Sequence, residues 1–362
     1  MSDEIRDKSS VSRKRRSSRK QSSSSEFDFI NHIKRRSHEH SRTGEASHSS
    51  LIKGIGDDAA VLRPAAGREM VLTADLLVEE MDFRREWMMP RLLGHKALAV
   101  SLSDIAAMGA RARWALLSIG IPREIWETDF TEKFYEGFFA LAETHQVTLI
   151  GGDVSRTPEH LVIDSIVAGD VKRNRAVLRT GARAGDHLFV TGTLGGAAAG
   201  LELLEQGARL QKSQGRTLKE HAVQALLLKH LQPEPRMSWG ALLSEQRLAT
   251  AMIDLSDGLS SDLAHLCEAS RVGARIDAAR LPLHPALKSF SEKDFDTHAL
   301  ALNGGEDFEL LFTVRPRDLK RMPTELDGVH AAYIGDVTEE QDIKLIKDSE
   351  ISSLRPGGFK HF

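Results

Sequence analysis

The sequence predicts an α+β fold made of two α/β domains. Short apolar segments typical of strands alternate with helical patterns, but without the strict period of a βαβ protein. The chain has 362 residues, of which 41% are hydrophobic and 28% are charged, so it has enough apolar material for more than one core. Charge and glycine interrupt the pattern at residues 173–185, and we place the domain boundary there.

Apolar spacing places the elements in order along the chain. Strands are predicted at 71–74, 147–150, 161–171, 187–191 and 309–314, and helices at 92–108, 130–144, 195–206 and 259–270. Met252 and Ile253 form a further short strand that leads into Asp254. Gly109 suits the end of the helix at 92–108, because glycine readily adopts the left-handed conformation that ends a helix.

The first 25 residues differ from everything that follows them. Residues 1–25 form a basic tail rich in Ser and Arg, which cannot bury enough apolar surface to become ordered, so we predict disorder. A nucleic-acid contact or a targeting address is the functional alternative, and a solvated tail is the interpretation we favour. The formal net charge of the chain is −3, which favours neither a nucleic-acid nor a membrane partner. The folded domains are expected at 26–175 and 176–362.

Cysteine content and hydropathy restrict the class of protein. The single cysteine, Cys267, excludes an intrachain disulfide and a cysteine-based zinc site. The longest apolar runs are too short to span a bilayer, and the N-terminus lacks the apolar segment of a signal peptide. We therefore expect a cytoplasmic protein.

Several common catalytic motifs are absent from the sequence. It contains no Gly-x-x-x-x-Gly-Lys-Ser/Thr loop, no protein-kinase catalytic loop, no Gly-x-Ser-x-Gly and no His-Glu-x-x-His. Residues 192–196, Gly-Thr-Leu-Gly-Gly, are similar to a dinucleotide-binding loop but lack its full glycine pattern. We interpret them as residues that allow a strand and a helix to pack closely.

The main chemical signal is a set of acidic residues at the ends of apolar strands, beside glycine or, in one case, inside a helix. They are Asp57, Asp58, Asp75, Asp104, Asp153, Asp254, Asp257, Glu306 and Asp307. Strand ends gather at one edge of a sheet, and carboxylates gathered there repel one another unless a cation neutralises them. Mg²⁺ prefers oxygen ligands and bridges carboxylates to phosphate oxygens, so the pattern predicts a metal–nucleotide site.

Each acidic residue also has a structural explanation. An Asp after a short strand is often a helix cap or a turn residue, and Asp257-Gly258 alone is a common turn. Asp104 differs, because a carboxylate inside an apolar helix is costly unless it is paired or bound to metal. Its structural alternative is a salt bridge to Lys96 or Arg111. These explanations cover each residue separately, but they do not explain why so many acidic residues lie at strand ends or beside glycine.

Six segments carry a resemblance when they are taken together. They are Gly-Ile-Gly-Asp-Asp-Ala-Ala-Val at 54–61, the helix segment 96–110, Leu-Ile-Gly-Gly-Asp at 149–153, Val-Thr-Gly-Thr at 190–193, Ile-Asp-Leu-Ser-Asp-Gly-Leu at 253–259 and Gly-Gly-Glu-Asp-Phe-Glu-Leu at 304–310. In this order, from about residue 26 to the end of the chain, they resemble the thiamine-monophosphate kinase family. Its superfamily includes aminoimidazole ribonucleotide synthetase and selenophosphate synthetase.

The resemblance implies a fold and an activity. The N-terminal α/β domain would dimerise through its sheet, and the active site would lie in the cleft between it and the C-terminal α/β domain. The enzyme would transfer the γ-phosphoryl group of ATP directly to thiamine monophosphate, assisted by several Mg²⁺ ions, in the last step of thiamine diphosphate synthesis. A phosphate monoester is already ionised near neutral pH, so neither a general base nor a covalent intermediate is expected.

The resemblance also implies residue roles. The magnesium positions are Asp58, Thr73, Ala74 through its backbone, Asp75, Asp104, Asp153, Asp254 and Asp257. The nucleotide positions are Gly152, Asp153, Arg179 and Ser256, and the substrate positions are Asp82, Glu306 and the aromatic Phe359. Of these, Asp153, Asp254 and Arg179 are expected to carry the catalysis.

Two positions depart from the family pattern. Asp82 stands where the family often has His in Val-Glu-Gly-x-His-Phe, so it is expected to face the cationic thiazolium or to help hold a metal. Ala74 stands where Thr is frequent, so a backbone carbonyl remains there but a hydroxyl ligand does not. The basic tail has no counterpart in the family pattern.

Two alternatives to the kinase activity remain open. A sibling reaction, such as aminoimidazole ribonucleotide synthesis, would use the same fold, whereas selenophosphate synthesis normally needs a reactive Cys near the N-terminus. A non-catalytic nucleotide-binding regulator would bind ATP without turnover. The retained set of carboxylates argues against the regulator.

Overall fold

The computed structural model describes residues 32–37, 51–53, 55, 60–63, 65–211, 217–291 and 293–359. The N-terminal strands are β1 (Leu51–Lys53), β2 (Val61–Leu62), β3 (Arg68–Val78), β4 (Arg111–Pro122), β5 (Thr148–Thr157) and β6 (Val162–Lys172). The N-terminal helices are α1 (residues 32–37), α2 (Pro90–Ala107), α3 (Arg123–Trp126) and α4 (Phe130–Thr144).

The C-terminal part has its own strands and helices. The strands are β7 (His187–Thr191), β8 (Ala249–Asp254), β9 (Gly273–Asp277), β10 (Leu310–Val314), β11 (Glu325–Leu326), β12 (Val329–Thr338), β13 (Ile343–Lys347) and β14 (Glu350–Ser353). The helices are α5 (Gly196–Glu205), α6 (Leu218–Leu231), α7 (Met237–Glu245), α8 (Leu259–Ser270) and α9 (Thr297–Asn303).

Two main sheets confirm the expected pair of α/β units. The first sheet has the order β3-β6-β4-β5, with β4 and β5 parallel and the other neighbours antiparallel. The second has the order β14-β13-β9-β12-β7-β10-β8, and β11 pairs with β12. In this second sheet β13 and β9 are parallel, so both sheets are mixed.

Helix α2 lies at the centre of the molecule. Of its 18 residues, all except Pro90, Arg91 and Asp104 are buried. A helix that is apolar on every side must be covered on every side. The first sheet and α4 cover part of α2, and β8 and α7 of the C-terminal part contact it elsewhere. The two halves of the chain therefore meet along α2.

Helices α2 and α4 cross so closely that only glycine fits at the contact. A side chain at Gly94 of α2 would place its Cβ 1.8 Å from the backbone oxygen of Phe134. A side chain at Gly137 of α4 would place its Cβ 1.8 Å from the backbone oxygen of Arg91. Backbone atoms cannot move away as the end of a flexible side chain can, so this crossing depends on both glycines.

Two of the predicted strands are longer than the sequence pattern indicates. The strand expected at 147–150 continues through the glycines to Thr157, and Gly152 has φ +151° and pairs with Leu117 of β4. The strand expected to end before Asp75 continues to Val78, so Asp75 lies within β3 and not at its end. Both expectations were wrong because the backbone pairing continues, between β5 and β4 through the glycines and between β3 and β6 through Asp75.

We expect Gly137→Ala to destabilise the protein by about 1–3 kcal/mol or more, because the added methyl group forces α2 and α4 apart. The measurement is the free energy of unfolding from denaturant titration. As a control on the same helix, exposed Glu132→Ala is expected to change stability by less than about 0.5 kcal/mol. Equal stability of the two variants would contradict the close crossing.

Candidate functional site

The N-terminal part of the site lies between β3 and α2. Thr73 and Asp75 alternate along β3 and face the helix. The Thr73 hydroxyl donates to the carboxylate of Asp104, and Ser101 Oγ donates to Asp75 Oδ2 over 2.7 Å. Ser101 and Asp104 lie three residues apart on α2 and so share one face of it. One helix face therefore brings two carboxylates and two hydroxyl groups together.

Asp254 joins this group from the C-terminal part. It is the last residue of β8, and its side chain is 4% exposed. Ser103 Oγ of α2 donates to Asp254 Oδ2 over 2.8 Å. The sequence correctly placed Asp254 at a strand end and Asp104 inside a helix. The carboxylates do not meet at one sheet edge, as was expected, but come from two sheets and a helix.

The three carboxylates raise the cost of ionisation for one another. Burial and the neighbouring charge of Asp104 raise the pKa of Asp75 to about 6. Burial, with Asp104, Asp262 and Asp75 nearby, raises the pKa of Asp254 to about 7, and the hydrogen bond from Ser103 opposes this only in part. Burial is the larger cause of both shifts, the neighbouring carboxylates add to it, and no cationic side chain is among the groups that oppose it.

The structural alternative for Asp104 is wrong. Lys96 pairs with Glu306 at 2.7 Å, and Arg111 pairs with Glu245 at 2.6 Å. Neither of the two candidate cations therefore neutralises Asp104.

A tight turn after β8 forms the C-terminal wall of the site. Asp262 lies in the first turn of α8, and its Oδ2 accepts from the backbone N of Asp257 at 3.2 Å and of Gly258 at 3.0 Å. Burial and the charge of Asp257 raise the pKa of Asp262 to about 7, although the two backbone hydrogen bonds and the charge of Arg179 lower it. Arg179 is exposed on the loop between β6 and β7, and its charge acts on Asp262 beside this turn.

Two of the predicted substrate residues are attached to the same turn. The backbone N of Glu306 donates to the backbone oxygen of Ser256 over 2.8 Å, and that of Phe359 donates to Asp257 over 3.1 Å. The Phe359 ring remains 49% exposed. The fold thus brings Ser256, Asp257, Glu306 and Phe359 together, although they are up to 103 residues apart in the sequence.

The Glu306 carboxylate has two buried partners. Lys96 Nζ lies 2.7 Å from Oε1, and His230 Nδ1 lies 3.0 Å from Oε2. Burial alone would raise the pKa of Glu306, but Lys96 and His230 lower it to about 2. Burial and the charge of Lys96 lower the pKa of His230, so a neutral imidazole donates to an ionised carboxylate.

Other acidic residues of the late Gly-Gly-Glu-Asp-Phe-Glu-Leu segment support the fold. Asp307 accepts from the backbone N of Gly195 and of Ala197 at the start of α5. A protein carboxylate thus occupies the helix end that a dinucleotide phosphate would use. This agrees with the interpretation of residues 192–196 as a packing loop. Glu309, with no exposed surface, pairs with Lys229 at 2.8 Å and with Arg236.

The structure does not bring every predicted residue into this cluster. Asp82 closes a local turn, since its Oδ2 accepts from the backbone N of Val78 at 2.8 Å. Asp153 is exposed on β5, where its Oδ1 accepts from the backbone N of Val154. Gly152 precedes it, and Ala74 is exposed on β3. Asp58 lies outside the described residues, as does the predicted tail at 1–25.

Several residues of the site were missed by the sequence analysis. They are Ser101, Ser103, Asp262, Lys96 and His230. For Lys96 a signal existed, because a lysine inside an apolar helix is as costly as the aspartate that attracted attention. An Asp in the first turn of α8 is a common helix-start feature, so Asp262 gave no distinct signal.

We expect Asp254→Asn to stabilise the metal-free protein above neutral pH. The folded pKa near 7 exceeds the unfolded value, so the wild type loses stability as pH rises from about 4 through about 7. The variant lacks this loss and at about pH 8 should be more stable by about 1 kcal/mol or more. Thermal unfolding with chelator, at several pH values, measures the difference.

The matched control for this measurement is Glu159→Gln, which removes a carboxylate that is 83% exposed. Added Mg²⁺ is expected to raise the unfolding temperature of the wild type more than that of Asp254→Asn. An unchanged pH dependence in Asp254→Asn would show that repulsion at this position is negligible.

Comparison with protein families covers both halves of the chain. The family described as AIR synthase related protein, N-terminal domain, matches residues 56–171, and the AIR synthase related protein, C-terminal domain, matches residues 183–348. The thiamine-monophosphate kinase of Bacillus subtilis (strain 168) is 36% identical over 341 residues, which are 93% of this chain and 99% of that protein.

The fold is also similar to solved structures over most of the chain. The crystal structure of thiamine-monophosphate kinase from Stenotrophomonas maltophilia K279a has a TM-score of 0.77 and 38% identity, and the match covers 91% of this chain and 98% of that one. AaThiL complexed with AMPPCP and TMP has a TM-score of 0.72 and 33% identity, with 93% and 97% of the two chains covered. Among the described residues, no helix is long and apolar enough to cross a membrane.

Proposed function

We propose, since this chain belongs to the thiamine-monophosphate kinase family, that it phosphorylates thiamine monophosphate with ATP to form thiamine diphosphate and ADP. The observation that carries the proposal is the carboxylate cluster of Asp75, Asp104 and Asp254 between the two halves of the chain. The complex of a relative with AMPPCP and TMP supports the choice of both substrates.

The reaction is a direct in-line transfer. An oxygen of the thiamine monophosphate phosphate forms a bond to the γ-phosphorus as the bond from that phosphorus to the β,γ-bridging oxygen breaks, and ADP leaves with that electron pair. Both reactants are anions, so the work of the protein is alignment and compensation of charge. The Arg179 guanidinium, whose charge acts on Asp262 beside the Ser256–Asp257 turn, suits a clamp on the phosphate chain.

The donor set fits Mg²⁺. Its members offer only oxygen, and the raised pKa values of Asp75 and Asp254 indicate negative charge without a counter-ion. Among the described residues, no group of three or more His, Cys, Asp or Glu is arranged so that it could hold a metal ion by itself. Phosphate oxygens and water would therefore have to supply part of the coordination. When bound, Mg²⁺ would neutralise phosphate charge and align the two reactants. The proposed ligand positions are Asp58, Thr73, the Ala74 backbone, Asp75, Asp104, Asp153, Asp254 and Asp257.

The nucleotide and the acceptor would each use their own set of residues beside this cluster. For the nucleotide we propose Gly152, Asp153, Arg179 and Ser256. For thiamine monophosphate we propose the Glu306 carboxylate, which suits the positively charged thiazolium, and the Phe359 ring, which suits stacking. The bond from Asp82 to Val78 supports a role in shaping the nearby turn. No Ser or His nucleophile is needed.

The decisive assay follows ATP, Mg²⁺ and thiamine monophosphate to products, with free thiamine as a parallel substrate. We expect thiamine diphosphate and ADP in equal amounts from the monophosphate alone. Asp153→Asn should lower kcat/KM by at least about a hundredfold, since it removes a proposed metal ligand. Glu159→Gln, an exposed carboxylate in the loop beyond β5, is the matched control and should retain full activity.

ATP binding without thiamine diphosphate would reject the kinase activity and favour a sibling substrate or a regulator. A phosphoenzyme trapped by rapid quenching would reject direct transfer. An Asp153→Asn variant with wild-type rates would leave the activity intact but remove this residue from the metal site.

We further propose that the protein is a homodimer in which the outer face of the first sheet is covered. On this face Leu72 of β3, Ala168 of β6 and Trp114 of β4 form one row across the sheet. Trp114 and Ala168 are buried against Leu51 and Leu62, whereas Leu72 at 65% and Leu76 at 57% exposure leave apolar surface open on β3. Such a surface supports self-association.

Sedimentation should therefore give a dimer for the wild type and a monomer for Leu72→Asp/Leu76→Asp, because buried aspartates oppose association. The control is Ile351→Asp, which changes a residue of β14 with 63% exposure and should remain dimeric. A monomeric wild type, or a dimer lost only in the Ile351 variant, would overturn this assignment.

A further inference from the structure

The buried Lys96 connects helix α2 to Glu306, which we propose as a substrate-binding residue. The Lys96 side chain has no exposed surface, although it is a charged residue on α2. Within the described residues its ammonium has no partner in hydrogen-bonding geometry, and the Glu306 carboxylate at 2.7 Å is its counter-charge. An ammonium buried in this way is costly, so its retention needs an explanation beyond packing.

Glu306 is held firmly by its surroundings. Its φ of +65° is uncommon for a residue with a side chain, and its backbone N is bonded to Ser256. Lys96 from α2 and His230 from α6 contact one carboxylate oxygen each, at 2.7 Å and 3.0 Å. His230 is 4% exposed, whereas the Glu306 side chain keeps 28% of its surface exposed. Glu306 is thus the partly exposed member of this group of three, and its two partners are buried.

From this geometry we infer that Lys96 and His230 are positioning residues for recognition of thiamine monophosphate. From two different helices they hold the two oxygens of Glu306 beside the Ser256–Asp257 turn, where its carboxylate can face the cationic part of the substrate. The inference rests on the proposed function and adds to it how the substrate-binding carboxylate of Glu306 is oriented. Neither lysine nor histidine touches the reacting phosphates.

The ion pair with Lys96 determines the charge of Glu306. With Lys96 present, Glu306 remains ionised across the neutral range, since its pKa is about 2. Without the ammonium, burial would raise that pKa, and the carboxyl would lose its charge as pH falls. The charged and titratable groups around the Glu306 carboxylate are Lys96 on α2 and His230 on α6. Glu205 on α5 acts in turn on His230.

The test is Lys96→Met, which keeps the length of the side chain and removes its charge. We expect KM for thiamine monophosphate to rise by about tenfold or more and KM for ATP to stay within about twofold. The ratio of variant to wild-type kcat/KM for thiamine monophosphate should fall further at about pH 6 than at about pH 8.5. Taking the ratio at each pH cancels the titration of the substrate phosphate.

Five further variants separate positioning from stability. In Lys96→Met/Glu306→Gln both charges are absent, so the protein should fold well. Its KM for thiamine monophosphate should equal that of Glu306→Gln alone. His230→Gln retains a donor and should recover more of the affinity than His230→Ala. Lys229→Met breaks the other buried lysine pair, with Glu309 at 2.8 Å, and should lower stability without a selective change in KM.

Each outcome bears on one claim. If the wild type forms no thiamine diphosphate, the proposed function fails. If the wild type is active but Lys96→Met changes both KM values equally, with a flat pH ratio and the same behaviour as Lys229→Met, the positioning role is overturned. A selective rise in KM with the acid-side loss supports it.

Discussion

The structure depends on the burial of helix α2. A helix enclosed on all sides cannot leave a polar side chain without a partner, yet α2 carries Lys96, Ser101, Ser103 and the partly exposed Asp104. The partners of the buried three come from both halves of the chain: Ser101 bonds Asp75 of the first sheet, and Ser103 bonds Asp254 of the second. Helix α2 therefore fixes the relative positions of the Asp75 and Asp254 carboxylates and, through Lys96, of Glu306.

Much of the fold could be predicted from the sequence because its elements follow simple periodicities. The helices at 130–144 and 259–270 and the strand at 187–191 match the structure exactly, since each has a clear apolar pattern and a definite end. The strand at 147–150 was predicted too short, because glycines normally end a strand. Gly152 does not end β5, since its side-chain-free backbone lies against Leu117, where a Cβ would approach the carbonyl oxygen to 1.9 Å.

The site was predictable in composition but not in geometry. Acidic residues at strand ends and inside a helix indicated which side chains to consider, and the fold gathers Asp75, Asp104 and Asp254 between the two halves. The sequence could not indicate that the charges come from different sheets, nor that Glu306 has a lysine partner 210 positions earlier in the chain. Such long-range pairs are set by tertiary packing, which leaves no local period in the sequence.

Charge compensation separates the acidic residues into those that have a cationic partner within the protein and those that do not. Lys96 and His230 lower the pKa of Glu306, and Lys229 and Arg236 lower that of Glu309, in each case against the effect of burial. Asp307 is an exception, since its pKa is raised by burial to about 6, yet its oxygens are satisfied by the amides that begin α5. A raised pKa alone therefore does not identify a ligand site. Asp75 and Asp254 differ from Asp307 because, besides burial, several neighbouring carboxylates raise their pKa values, and only single hydroxyl groups oppose the effect, so a cation bound beside them would lower both pKa values.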